Sequence, residues 1–407
     1  MTEPAGSDLF PTRDPVEAER QRDVTTGLLP SQMLREAVAL GREILSPQSI
    51  GDDQIQPASL DLRLGEVAYR VRASFLPGGR ARVRDKLDLL SMHRIDLGAG
   101  AVLEKDCVYI VPLLEYVALR HRTSAFANPK SSIGRLDVFA RVITDYGTEF
   151  DRIREGYKGP LYAEISPRSF SILVRSGSSL VQLRIRRGSP QFSDTALRRL
   201  HEEVGLVESP PNGPQAGTPS AHEAIRDGLA FTVDVAGDRA GGLVGYKARR
   251  HTDLIDVDRV DYYEPRDFWE PVFAHRGPGG PGGPGGIVLD PHDFYILASR
   301  EAVVVPPDHA AEMLPYHTFV GEFRVHFAGF FDPGFGTSET GGAGSRAVLE
   351  VRSHEVPFLI EDGQVLGRLV YERLIARPDK LYGRAIGSSY QSQGLALSKH
   401  FKKLPLC

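Results

Sequence analysis

Leu161-Tyr162-Ala163-Glu164-Ile165-Ser166 and, much further on, Ala347-Val348-Leu349-Glu350-Val351-Arg352-Ser353 carry one pattern twice. Each has the length and side chains of a strand, with one glutamate among apolar neighbours. A shift of 186 residues lays Glu164 on Glu350. The same shift lays Tyr109-Ile110 on Tyr295-Ile296, Pro129 on Pro315, Gly177 on Gly363 and Leu183 on Leu369. Coincidences at a single offset, each inside a strand–turn pattern, mark an internal duplication. The predicted fold is mostly β: two tandem barrels or sandwiches with a few short helices.

Outward from these runs, short apolar segments broken by Gly, Pro and Asp continue in both directions. SLDLRLG (59–65), CVYIVPL (107–113), FSILV (170–174) and LVQLRI (180–185) read as strands of the first half. LAFTVDV (229–235), GGLVGY (241–246), FYILA (294–298), PFLI (357–360) and LGRLVYERL (366–374) read as strands of the second. Residues 1–28 read as a polar tail, 29–195 as the first repeat and 226–376 as the second. Between them, TALRRLHEEVGL (195–206) predicts a short helix and SPPNGPQAGTPS (209–220) a linker. Another helix opens at Pro30-Ser31, with Ser31 as its cap and Met33, Leu34, Val38, Leu40 and Ile44 as its apolar face. GPGGPGGPGG (277–286) reads as a surface insertion. Residues 377–407 read as a tail that could close over a ligand.

The chain has 407 residues, 49 Lys and Arg against 53 Asp and Glu, and a net charge of −4. That length accommodates two or three domains with real cores. The balanced charge argues against a bulk electrostatic binder of nucleic acid, so an anionic ligand needs a local cluster of Arg and Lys. No apolar run is long enough to cross a membrane as a helix. The acidic, polar N-terminus lacks the apolar core of a signal peptide. The only cysteines are Cys107 and Cys407, which excludes a disulfide framework and a thiolate-rich zinc site and fits a reducing cytoplasm.

No HExxH, no GxxxxGK[ST] and no GxSxG occurs. Nor can two distant cysteines build the H-x-E plus P-C-x-x-C zinc site of nucleobase deaminases. The chemistry left uses carboxylates, hydroxyls and guanidinium groups. Three stretches offer them. Lys130-Ser131-Ser132-Ile133-Gly134-Arg135 combines cations, hydroxyls and a glycine, a composition that suits an oxyanion or a helix-capping turn. Ala328-Gly329-Phe330-Phe331-Asp332-Pro333-Gly334-Phe335-Gly336 is a D-P-G turn among aromatics, able to line a slot for a flat base. Glu350 follows on the next strand; buried there, it would have a raised pKa and could shuttle protons. The polar C-terminus, with Tyr382, Arg384, Tyr390, Gln393 and Lys399, is the third.

Together these stretches resemble the dCTP deaminases, relatives of the trimeric dUTPases. The resemblance rests on IQPASLDLRLG (55–65), PKSSIGRL (129–136), AGFFDPGFG (328–336) with Glu350 after it, IEDGQVLGRLVYERL (360–374) and YGRAIGSSYQSQG (382–394). It is nearest to a longer, tandem form of that family and covers the chain from about 30 to 400. It implies a dUTPase-like β fold, and cytoplasmic hydrolysis of dCTP to dUTP and ammonia, feeding thymidylate synthesis. It also implies no zinc, Mg²⁺ carried on the substrate triphosphate, and a homo-oligomer or pseudo-trimeric assembly of repeats, with no nucleic-acid or membrane partner.

Residue by residue, the resemblance puts Ser131, Ser132 and Arg135 on the family's S-S-x-x-R motif. It puts Glu350 and Glu164 on its catalytic glutamate, and Tyr382 and Gln393 on tail residues that cover the triphosphate. Lys130, Arg384 and Lys399 are candidates for phosphate charge. Ala328, Phe331, Asp332, Gly336 and Tyr390 are further candidates for substrate contact. The chain departs from the family twice in complementary ways. The first half's hairpin, DYGTEFDRIREGYKG (145–159), is stretched and lacks D-P-G. The second half reads HTFVG (317–321) where the first reads SSIGR. One complete site assembled from both halves is therefore expected, within a chain or between chains, with Glu350 as the active glutamate. The alternatives are a dUTP diphosphatase, a bifunctional deaminase–diphosphatase, or a non-catalytic nucleotide-binding protein.

Overall fold

A computed structural model describes residues 26–208, 224–236, 242–274, 286–315, 323–325, 329–342, 344–353, 355–383, 390 and 394–403. Strands dominate them, with short helices at Ser31–Ala39, Val83–Leu90, Ser131–Gly134, Asp194–Val204 and Pro265–Phe268.

The duplication is written into the hydrogen-bond register. Strand Lys158–Pro167 pairs with Val108–Ala118 so that Glu164 opposes Ile110; Ser345–Ser353 pairs with Phe294–Val303 so that Glu350 opposes Ile296. Leu183 opposes Ala127 in one half and Leu369 opposes Met313 in the other. Both members of each pair move by the same 186 positions. Even a side-chain contact repeats: the Tyr109 hydroxyl accepts from the Glu104 N–H and the Tyr295 hydroxyl from the Asp290 N–H, both at 3.0 Å. Gly177 and Gly363 share the left-handed backbone, φ 90° and 78°, that turns the chain between equivalent strands.

Each half stacks two main sheets. In the first, Gly27–Leu28, Ser179–Arg187, Thr123–Pro129 and Arg152–Ile153 form one layer, and Leu60–Arg63 joins Ser179–Arg187. Its other layer runs Ser91–Asp96, Val67–Val71, Val108–Ala118, Lys158–Pro167, Val138–Thr144. The second half repeats the plan with Leu229–Thr232, Val365–Arg373, His309–Pro315, Phe330–Phe331 against Trp269–Phe273, Leu243–Ala248, Phe294–Val303, Ser345–Ser353, Phe323–Val325.

The halves are packed together rather than strung in tandem. The larger core joins first-half residues such as Leu136, Val138 and Phe170 to Phe268, Trp269, Ile296, Val348 and Phe401 of the second. Ile255–Asp256 of the second half adds in parallel to Ile172–Val174 of the first.

Three local expectations are corrected. Ser31 does not cap its helix: Pro30 occupies that position, and the Ser31 hydroxyl bonds to Asp379. Leu40 lies beyond that helix and is exposed. The polar tail ends before residue 28, since Gly27–Leu28 pairs with Arg186–Arg187. The helix expected at 195–206 is present as Asp194–Val204, capped by the Ser193 hydroxyl, which accepts from the Ala196 N–H. The linker 209–220, the segment 317–321 and all but the last residue of 277–286 lie outside the described residues.

Candidate active site

A cavity of about 240 Å³ opens between the halves. The first half contributes the turn Lys130–Arg135 together with Asp61 and Gln182; the second contributes Phe330–Asp332, Phe335, Val348 and Glu350; the tail contributes Tyr382, Tyr390 and Lys399. Residues of both halves, which the sequence analysis expects to complement one another, line this one cavity within a single chain.

The second-half wall is built by a type II turn. Asp332, Pro333 and Gly334 close it: the Phe335 N–H donates to the Asp332 carbonyl at 3.0 Å, and Gly334 supplies φ 94°. The Gly334 N–H donates to the Val305 carbonyl, and the Pro333 carbonyl accepts from the Tyr382 N–H at 2.8 Å. Phe331 meets Phe335 edge-on at 5.1 Å, and Phe335 packs on Tyr382 at 5.6 Å. These rings line the apolar side of the cavity.

Arg184 of the first half holds this hairpin. It is 1 % exposed and donates to the Ala311 carbonyl, the Phe331 carbonyl and the Asp332 carboxylate at 2.8–3.0 Å. Its guanidinium also lies over the Phe330 ring at 4.0 Å. Asp332 thus faces the cavity with its charge already matched.

Glu350 is 4 % exposed, and burial raises its carboxyl to about 8, while the nearby Arg135 charge opposes the rise. Its place is set by its neighbour two residues on. Arg352 is ion-paired with Asp137, which also accepts from the Ser169 hydroxyl at 2.6 Å. Asp137 in turn lies two residues beyond Arg135. One buried ion pair between the halves therefore sets the Glu350 strand against the Arg135 turn.

The tail completes the first-half wall. Arg135 lies over the Tyr390 ring at 3.7 Å and donates to the Ala396 carbonyl at 3.1 Å. The Tyr390 hydroxyl accepts from the Lys399 N–H at 3.0 Å, and the Tyr382 hydroxyl accepts from the Tyr390 N–H at 3.2 Å. Ser398 donates to the Ser132 carbonyl at 2.7 Å. Two lysines, Lys130 and Lys399, line the cavity. Lys130 pairs with Asp61, and the pKa of Lys399 is lowered by burial and by Lys130. Such a pair of cations gains most from a polyanion between them.

Glu164, the other glutamate of the duplication, is not in this cavity. Arg141 donates to one of its oxygens at 2.5 Å and Ser74 to the other at 2.7 Å. Gly336 is not in the lining either. Its φ of 72°, and a Val303 carbonyl that leaves no room for a side chain, give it a turn-forming role. Ala328, Arg384 and Gln393 lie outside the described residues. Asp61, Gln182, Arg184, Phe335 and Arg352 were missed as site residues. A signal existed for two: Gln182 and Arg184 alternate with Leu183 and Ile185, a polar face on a strand that reads as core.

A buried carboxylate with a raised pKa, beside two ammoniums and a cluster of aromatic rings, has the groups that hydrolysis of a nucleotide needs. The model of the dCTP deaminase N-terminal domain matches residues 25–189, and that of the C-terminal domain matches 193–401. The chain belongs to the dCTP deaminase family and is a hydrolytic deaminase acting on a cytosine nucleotide. It is 52 % identical to the crystal structure of 2'-deoxycytidine 5'-triphosphate deaminase from Agrobacterium tumefaciens, with a TM-score of 0.77 over 87 % of this chain and 100 % of that one. It is 25 % identical to a dCTP deaminase of Halorubrum lacusprofundi over 44 % of this chain and 85 % of that protein. It is 32 % identical to a dUMP-forming dCTP deaminase of Halobacterium salinarum over 26 % of this chain, a match spanning about half, 52 %, of that relative.

Proposed function

We propose that the cavity between the halves hydrolyses dCTP to dUTP and ammonia without zinc, with Glu350 as the proton carrier. The observation that carries this is the buried Glu350 carboxyl set against the Lys130–Arg135 turn. Ionised Glu350 takes a proton from water as the water oxygen bonds to C4 of the cytosine. The proton passes to N3, giving a neutral tetrahedral intermediate. Glu350 then moves the proton of the new hydroxyl to the amino group. The C4–N bond breaks, ammonia leaves and the C4 carbonyl forms. Ser131 and Arg135 hold the water and the developing charge by hydrogen bonds, the work that a metal does in other deaminases.

Phe331, Phe335 and the turn at Asp332 take the base. Lys130, Lys399, Tyr382 and Tyr390 take the triphosphate, with Arg384 and Gln393 from the same tail. Mg²⁺ enters as part of the substrate, MgdCTP. Residues 29–195 and 226–376 are the two repeats, and 377–407 closes the site. We place the enzyme in the cytoplasm, as a homo-oligomer or pseudo-trimeric assembly of repeats; sedimentation equilibrium tests the assembly.

Incubation with MgdCTP, with ammonia and pyrophosphate measured separately, tests the reaction. Ammonia without pyrophosphate is expected. Release of both would assign the dUMP-forming reaction named for the Halobacterium relative, and release of neither would leave a binding protein. The Gly-rich stretch GFGTSETGG (334–342), which superficially resembles the closing motif of dUTPases, lies inside the hairpin rather than at the C-terminus and gives no support to diphosphatase activity. It is occupied with its own turn, where the Thr340 hydroxyl donates to the Gly334 carbonyl at 2.7 Å.

A further inference from the structure

The duplication gives the catalytic hairpin a counterpart in the first half, and that counterpart has been rebuilt. Strand register identifies it. Phe330 pairs with Glu312, and Arg152 pairs with Phe126, the residue 186 positions before Glu312. Arg152 therefore stands where the catalytic hairpin has Phe330, and Arg154 where it has Asp332. The first-half hairpin reaches this point eight residues late, since a plain shift would carry Arg152 to 338.

Two further arginines share the face, of which Arg184 is committed to the catalytic hairpin. Arg184 pairs with Phe126 and Arg186 with Ser124, and cross-strand partners project to one side. Arg154, two residues on from Arg152, is level with Ser124. At a strand spacing of about 4.8 Å, Arg154 and Arg186 flank Ser124 from either side. A cavity of about 390 Å³ opens here, walled on its far side by Tyr146 and Gly147 of the longer hairpin. Arg186 is braced by its ion pair with Glu372 and by the Phe126 ring, 4.3 Å from its guanidinium. Among the described residues no hydrogen bond or ion pair engages the guanidinium of Arg152 or Arg154. Glu149 is the one carboxylate in the lining.

We propose that this pocket is a second, non-catalytic site that binds a polyphosphate chain, either free or as the triphosphate of a nucleotide. Planar guanidinium forks converging on a hydroxyl match phosphate oxygens bidentately. The apolar slot that holds a base in the second half has given way here to charge.

Calorimetric titration with tripolyphosphate is the test, and it does not depend on turnover. The wild-type chain should bind two per chain, one in each cavity. The Arg152→Ala/Arg154→Ala variant should bind one, with melting temperature and dCTP turnover unchanged. Arg152→Lys/Arg154→Lys keeps the charge but loses the fork, and should weaken the second site at least tenfold. A parallel titration with ATP separates the sources: tighter binding of ATP at this site assigns a nucleotide, and tighter binding of tripolyphosphate assigns a free polyphosphate. One tripolyphosphate per wild-type chain, or two retained by the alanine variant, would overturn the proposal.

Discussion

At the scale of single residues, the proposed mechanism rests on Glu350 and Arg135. Glu350→Gln keeps shape and hydrogen bonding but removes the proton acceptor. Turnover should fall by about 10²–10⁴ with little change in substrate affinity, which steady-state kinetics will read. The carboxyl at about 8 also fixes the pH behaviour. The ionised form starts the reaction, so kcat/KM should rise with pH and level off above about 8. Arg135 favours that ionised form. Arg135→Ala should therefore shift the rising limb to higher pH, besides slowing the reaction as much as Glu350→Gln does. A limb that stays in place would mean that the two groups do not interact. Stability runs the other way. Between the ordinary 4.5 and about 8, the folded chain holds a proton that the unfolded chain has released. Stability should fall as pH rises through that window, and Glu350→Gln should flatten the fall in a urea titration series. Glu350 and the Ser131–Arg135 turn were singled out in the sequence through the resemblance to the dCTP deaminases, because composition alone left an outward-facing strand glutamate and a helix-capping turn open. Arg352 and Asp137 were not. Each looks like an ordinary charged residue until the halves are packed and the pair proves to be buried.

Two elements carry the geometry, the D-P-G hairpin and the tail. Asp332-Pro333-Gly334 was readable as a turn because proline and glycine each fix one backbone angle. The residue that holds it, Arg184, sits 148 positions away on a strand of the other half. Arg184→Met strips three buried acceptors of their partner and should destabilise the fold by about 3–5 kcal/mol. The tail reads as a simple cover when only its polar composition is considered. Its final segment is in fact part of the core. Phe401 packs on Tyr263, Phe268 and Trp269 at 5.4–6.3 Å. His400 is buried between Ser398 and the Val257 carbonyl, and burial lowers it to about 4. Truncation after Arg377 should thus cost stability as well as triphosphate binding, and Phe401→Ala alone about 3–5 kcal/mol. A truncated chain that melts like the full one would refute this. Composition could not reveal the docking, because the partners of Phe401 lie more than 130 positions earlier.

For the whole molecule, the proposed function implies that duplication followed by complementary loss has turned two equivalent halves into one site. The sequence showed the duplication through its fixed offset, and showed which half kept which motif. It could not show whether the surviving parts meet inside one chain or between two, because that depends on how the halves pack. The shared core and the Arg352–Asp137 pair answer it: both walls of the cavity come from one chain. Glu164, tied to Arg141 and Ser74, is left outside, so Glu164→Gln should cost far less turnover than Glu350→Gln. The most direct test is to unfold and refold Arg135→Ala and Glu350→Gln chains together and measure ammonia released from dCTP. Sites built within one chain leave every chain defective, so the mixture should show no more than the sum of the two variants measured alone. Activity recovered well above that sum would mean that Arg135 of one chain serves Glu350 of another, and would contradict the single-chain site.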